Sequence, residues 1–292
     1  MKFGLFTVSM PEYDIENTVR ALKELGYDGV EWRVGNPPPK NRPDSYSFEN
    51  RYWSYNLSTL DIGRINDMAP EIRNMCAAAG LEICSLTTYL GIHETEAARN
   101  IMKAADIIGC KNIRINVPSY DGKINYRELF GSAQKHLETM ERLAASHNVK
   151  VNFETHMGNI IPSASAAYRF VSGFDPKYVG IIFDPGNMVY EGFENYRLGI
   201  ELLGEYLAHV HVKNGCWKYT GTGLEGAEVW KPTWASFKKG YADIPGLVRI
   251  LKETGYEGYV SVEDFSNDED TYTKLKNNIE FLRSIQENSL RS

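Results

Sequence analysis

Short apolar runs alternate with amphipathic stretches along the whole chain. Runs of strand length, rich in Val, Ile, Phe and Tyr, fall at residues 2–7, 29–33, 81–87, 112–117, 149–155, 179–184, 207–213 and 259–264. The stretches between them carry helical spacing. Ile101, Ala104, Ala105 and Ile108 recur at i, i+3, i+4 and i+7, as do Ile244, Leu247, Val248 and Leu251. Asn125 followed by Glu128 predicts a capping box that opens a helix through His147. Asp243 before Ile244-Pro245 is a second start signal.

The joints repeat as well. Gly26, Gly80, Gly109 and Gly255 each stand just past a helical stretch and just before a strand, where glycine supplies a left-handed cap. Eight β-then-α units with short returns predict an α/β fold, a parallel (β/α)8 TIM barrel, over residues 1–292 as one domain. An open doubly wound sheet is the rival. Two connections break the rhythm, at residues 35–63 and 214–242, and both follow the C-terminal end of a strand. Such a barrel builds its active site on that face. The loops carry Arg51, Tyr52, Trp53, Tyr55, Trp217, Trp230 and Trp234, and they are expected to wall a small-molecule pocket, to contact another subunit, or both.

Inside the strands the polar residues keep phase. Side chains alternate faces along a strand. Asn112, Arg114 and Asn116 share one phase against Ile113, Ile115 and Val117. Asn152, Glu154 and His156 oppose Val151, Phe153 and Thr155. His209, His211 and Lys213 oppose Val210 and Val212, and Ser261 and Glu263 oppose Val260 and Val262. The apolar phase faces the surrounding helices, so the polar phase faces the barrel axis. A barrel interior is normally filled by branched apolar side chains. Burying this many charges there is costly unless they bind something.

Glu154, Asp184, His211 and Glu263 stand near the C-terminal ends of strands five to eight. Three carboxylates and one imidazole make an oxygen-rich set for one divalent ion, too hard for a structural zinc site. Mn²⁺ suits it first, with Mg²⁺, Co²⁺ or Zn²⁺ as alternatives. The plainer reading is a charge-paired core in which Lys213 and Arg114 neutralise the acids.

Composition and charge exclude other classes. The 292 residues are 42% hydrophobic and carry 32 basic against 38 acidic side chains, a net charge of −6, with no block of Lys and Arg. That balance disfavours nucleic acid as a partner. No apolar run approaches about 18 residues, so no membrane span is expected. Four scattered cysteines without a CxxC pair fit free thiols in a reducing cytoplasm. Gly221-Thr222-Gly223-Leu224-Glu225-Gly226 has the spacing of a dinucleotide loop but no strand runs straight into it, so it is set aside.

Four segments together resemble the xylose isomerase-like barrel superfamily of sugar isomerases and epimerases. They are Phe153-Glu154-Thr155-His156, Phe183-Asp184-Pro185-Gly186-Asn187, His209-Val210-His211-Val212-Lys213 and Tyr259-Val260-Ser261-Val262-Glu263. The resemblance covers nearly the whole chain. It implies that Glu154, Asp184, His211 and Glu263 bind one divalent metal. It also implies ketose 3-epimerase-like chemistry, with Glu154 and Glu263 passing a proton through an enediolate, and a homo-oligomer, dimer or tetramer. The adjacent possibility is a keto-inositol dehydratase on the same site; a non-catalytic sugar-binding barrel is less favoured. Lys213, His156 and Arg114 are candidates to hold substrate hydroxyls or the developing oxyanion, or else to support the ligands. His209, two residues below His211, fits a supporting role. His93, in the loop after strand three, and Trp217 are candidates for the pocket wall. DNA-repair endonucleases that share the barrel carry a histidine three residues after the strand-six aspartate. Here that residue is Asn187, also a candidate substrate contact.

Overall fold

A computed structural model describes residues 1–288; positions 289–292 of the expected domain lie outside the described residues. Eight parallel strands form the barrel: β1 (Lys2–Phe6), β2 (Gly29–Gly35), β4 (Glu82–Gly91), β5 (Asn112–Asn116), β6 (Lys150–Glu154), β7 (Val179–Phe183), β8 (Leu207–Val212) and β11 (Tyr259–Val262). Leu5 pairs with Val262 on one side and Val30 on the other, which closes the ring. The short strand β3 (Leu60–Asp61) adds to the outer end of β2, pairing Leu60 with Val34.

Helices α1 (Ile15–Leu25), α3 (Ile65–Ala79), α4 (Thr95–Ile108), α5 (Tyr126–His147), α6 (Ala164–Val171), α8 (Tyr196–Leu203), α9 (Ile244–Glu253) and α10 (Thr271–Asn288) ring the barrel. Their termini follow local chemistry. The Asp243 carboxylate accepts from Gly246 N at 2.9 Å and starts α9. Asn125 accepts from Arg127 N at 2.9 Å, so the asparagine half of the expected box caps α5. The apolar faces of these helices meet the outward residues of the strands. Phe153 meets Phe170 of α6 edge-on at 5.7 Å, and both are fully buried. Each such side chain contributes roughly 1.5–3 kcal/mol of burial. The core therefore sits between strands and helices and leaves the inside of the barrel to other uses.

The structure departs from the sequence reading in three places. Strand β4 runs to Gly91, beyond the expected end at Thr87. The connection after β2 contains a one-turn helix, α2 (Arg51–Ser54), whose Arg51 and Tyr52 are buried. The connection after β8 is no open loop. It is an antiparallel hairpin of β9 (Asn214–Thr222) and β10 (Glu228–Ala235), with Trp230 opposite Tyr219 and Trp234 opposite Gly215. The glycine-rich 221–226 segment is its tip, where Leu224 is exposed. No helix among the described residues is long and apolar enough to cross a membrane.

Candidate metal centre

Glu154 ends β6, Asp184 follows β7, His211 lies in β8 and Glu263 follows β11, so four neighbouring strands deliver four donors to one point on the axis. One donor atom from each lies within 4.8 Å of all the others, and all four residues are buried. His211 Nδ1 is 3.0 Å from Glu154 Oε1, 3.6 Å from Glu263 Oε2 and 3.8 Å from Asp184 Oδ2.

Local structure aims each donor. Asp184 has two jobs. Its Oδ1 caps α7 (Pro185–Tyr190) by accepting from Asn187 N at 2.9 Å, which leaves Oδ2 facing the cluster. Gly186 is needed beside it, because a Cβ there would lie 2.2 Å from Lys213 Cγ. His211 is stacked on Phe6 with ring centroids 5.5 Å apart. Its Nε2 meets Glu31 Oε1 at 2.9 Å, so Nδ1 is the nitrogen turned toward the carboxylates. Glu31 Oε2 meets His209 Nε2 at 2.8 Å, and Ser261 Oγ lies 3.0 Å from the same nitrogen. A carboxylate behind a ligating histidine fixes its tautomer and ring orientation.

The electrostatics are those of a crowded anionic cage. Burial opposes charge on Glu154, but Arg114, Lys213 and His211 outweigh it and hold its carboxyl well below the usual range. Burial, reinforced by Glu154 and Glu263, pushes Asp184 well above its ordinary value despite Lys213. Burial opposes charge on His211, but Glu31 and Glu154 overcome it and raise the imidazole. Burial likewise works against charge on Lys213, and Asp184, Glu263 and Glu154 together raise it.

The other expected site residues separate into two groups. Arg114, Lys213 and Asn187 reach the cluster, yet they are spent on its carboxylates. Arg114 Nη2 lies 2.8 Å from Glu154 Oε2. Lys213 Nζ contacts Glu263 Oε2 and sits 2.9 Å from Asp184 Oδ2 and 3.6 Å from Glu154 Oε1. Asn187 is fully buried, and its Nδ2 donates to Glu154 Oε1 at 3.0 Å and to Thr155 O at 3.1 Å, so it orients Glu154. His156 stands at the edge. Its Nδ1 donates to the Met157 carbonyl at 2.6 Å, which leaves Nε2 as the acceptor, and burial lowers its pKa so the ring is neutral at pH 7.

Two residues are not brought in. His93 is exposed and its ring meets His136 of α5 at 6.3 Å. Trp217 donates its indole N–H to Val189 O at 2.8 Å, pinning the hairpin to α7. The wall is made instead by Trp234 and Phe265, whose rings lie 5.3 and 5.4 Å from Lys213 Nζ. Tyr190 packs on Trp234 at 4.3 Å, and Trp53 packs on Phe265 at 5.3 Å.

The donor set fits a divalent cation. Three carboxylates surround one point, and the histidine's tautomer is set from behind. Lys213 and Arg114 set two positive charges against these carboxylates.

The barrel and this cluster define the class. The model of the Xylose isomerase-like TIM barrel family matches residues 19–285, and the chain belongs to that family. Among particular relatives, the chain is similar to an inosose dehydratase of Clostridium botulinum, 27% identical over 289 residues covering 87% of this chain and 84% of that protein. Its fold is similar to the crystal structure of 3-keto-D-glucoside 4-epimerase from E. coli, with a TM-score of 0.71, 19% identity and coverage of 97% of this chain and 99% of that one. It is also similar to a xylose isomerase-like TIM barrel protein from Mycobacterium smegmatis in complex with magnesium, with a TM-score of 0.69, 16% identity and coverage of 99% and 97%.

Proposed function

We propose that this chain is a divalent-metal-dependent enzyme acting on a small polyhydroxylated ketone of the inosose type. It removes the proton α to the carbonyl and eliminates the β-hydroxyl as water. Glu154, Asp184, His211 and Glu263 would hold the ion, which when bound polarises the substrate carbonyl.

The observation that carries elimination over epimerisation is the inequality of the two glutamates. Epimerisation between Glu154 and Glu263 needs each to take and return a proton in turn. Glu154 is clamped on both oxygens, by Arg114 at 2.8 Å on Oε2 and by Asn187 at 3.0 Å on Oε1. A proton on it would break the buried ion pair. Glu263 is held on one oxygen alone, its Oε2 contacting the Lys213 ammonium and lying 3.6 Å from His211 Nδ1. Proton traffic is therefore one-sided. Glu263 accepts the α-proton, the electrons of the C–H bond form the enolate, and the same proton leaves with the β-hydroxyl as the double bond forms. Lys213 keeps positive charge beside the oxygen that gains electron density. His156 Nε2 accepts from a substrate hydroxyl and orients the ring. The likeness to inosose dehydratases over most of the chain supports the same outcome.

Epimerisation is the second reading. Both glutamates do reach the same cluster, and it shares the first proton transfer. Proton NMR of the metal-loaded protein with an inosose in D₂O separates the two. Loss of water with a new vinylic signal supports elimination. Solvent deuterium at a carbon of an otherwise intact product supports epimerisation.

A further inference from the structure

A cavity of about 810 Å³ lies one side chain away from the cluster, between the connection after β2 and the start of α4. Arg33, Asn36, Trp53, Tyr89, Glu94 and Asn100 line it. Pockets that take an entire small-molecule ligand span about 300–1,000 Å³. This space therefore exceeds what an overhanging hydroxyl of a single bound ring needs.

It shares a wall with the metal centre. The Tyr89 ring has Arg33 5.2 Å and Arg114 5.6 Å from its centroid, and Arg114 is the residue that holds Glu154. Trp53 lies edge-on to Tyr89 at 6.0 Å and against Phe265 at 5.3 Å, and Phe265 faces Lys213. Tyr89 and Trp53 thus stand between the cluster and the cavity, and a substituent on a ring seated at the cluster would reach the cavity over the rim of this contacting pair.

The lining states what the substituent is. Trp53 and Tyr89 are half-exposed aromatic faces, on which the C–H face of a sugar ring lies. Asn36 and Asn100 are exposed amides that both donate and accept, as hydroxyls require. Arg33 Nε is buried with no hydrogen-bond partner, so one donor is unused. Glu94 is held in place by Gly91 N at 2.7 Å. Its negative charge opposes Arg33, so the cavity has no excess charge to attract a phosphate. Arg51, a further nearby cation, is buried against Tyr52 and Asn267, and Arg114 is paired with Glu154.

We propose that this cavity is a subsite for a neutral glycosyl unit, so that the preferred substrate is a glycoside of the reacting ring. The inference rests on the reaction proposed above and adds its substrate class. The test compares an inosose, its O-glucosyl derivative and its phosphate ester on metal-loaded protein. The glucosyl compound is expected to show a kcat/KM at least tenfold above the other two. Asn100→Trp adds bulk to the cavity from an exposed helical position and is expected to erase that advantage. Equal kcat/KM for glycoside and free ring, or a preference for the phosphate ester, overturns the proposal. If none of the three turns over, the reaction fails but the subsite is still read by calorimetry with the glucosyl compound. Saturable binding weakened at least tenfold by Asn100→Trp supports it; absent binding or an unchanged affinity overturns it.

Discussion

Glu31 Oε1 meets His211 Nε2 at 2.9 Å, from a strand that contributes no donor to the cluster itself. The same carboxylate meets His209, and the two imidazoles outweigh burial to hold Glu31 well below the usual carboxylate range. Glu31 thus fixes which nitrogen of His211 faces the other carboxylates of the cluster. Glu31→Gln keeps the volume but weakens this orientation. Metal affinity, read by competition with a chelator, is expected to fall by about 10–100-fold. An affinity within a factor of two of the parent would show that Glu31 does not set the ring.

Lys213 predicts unequal effects on the metal-free and metal-loaded forms. Lys213→Met leaves the buried carboxylates without their ammonium, which costs on the order of 3–5 kcal/mol when no cation replaces it. Melting in the presence of a chelator is expected to drop sharply. Divalent metal is expected to restore most of the loss, since it supplies the missing charge, while turnover stays at least about 10²-fold down. A variant equally unstable with and without metal would place Lys213 outside the cation's surroundings.

Most of this centre was legible in the sequence, and the reason is the period of two along a strand. Glu154, His211 and Glu263 broke apolar runs in phase, so their convergence followed from strand geometry alone. Glu31 broke the run 29–33 in the same way and was missed, because its partners lie about 180 residues away and a lone strand carboxylate has many uses. The hold of Asn187 on Glu154 could not be read from the sequence, because the turn of α7 that buries it depends on the Asp184 cap and the Gly186 approach. His93 and Trp217 sat at the right end of the barrel, but loop side chains have no periodicity to give their direction. The hairpin of β9 and β10 hid for a related reason: it stands apart from the barrel and has no alternating buried face.

Lys274 ties α10 to the connection after β2. Its Nζ donates to Tyr52 Oη at 2.8 Å, Asp264 O at 2.8 Å and Ser266 O at 3.0 Å. Burial lowers its pKa to about 8. The unfolded chain, with an ordinary lysine near 10.5, therefore binds more protons than the folded one between those values. Stability contributed at this position rises as pH climbs from 8 to 10.5, by at most about 3 kcal/mol. Denaturation of the parent and of Lys274→Met across that window is expected to show the difference moving in favour of the parent. A difference independent of pH would mean the lysine is not desolvated.

The most direct test is a product analysis with an inosose on protein stripped of metal and refilled with Mn²⁺, alongside Glu263→Gln. Proton NMR in D₂O is expected to show loss of water and an unsaturated product for the refilled parent only. The stripped protein and Glu263→Gln are expected to be inactive. Equal activity in the stripped protein, or unimpaired elimination by Glu263→Gln, would contradict a one-sided proton transfer at the Glu154, Asp184, His211 and Glu263 centre.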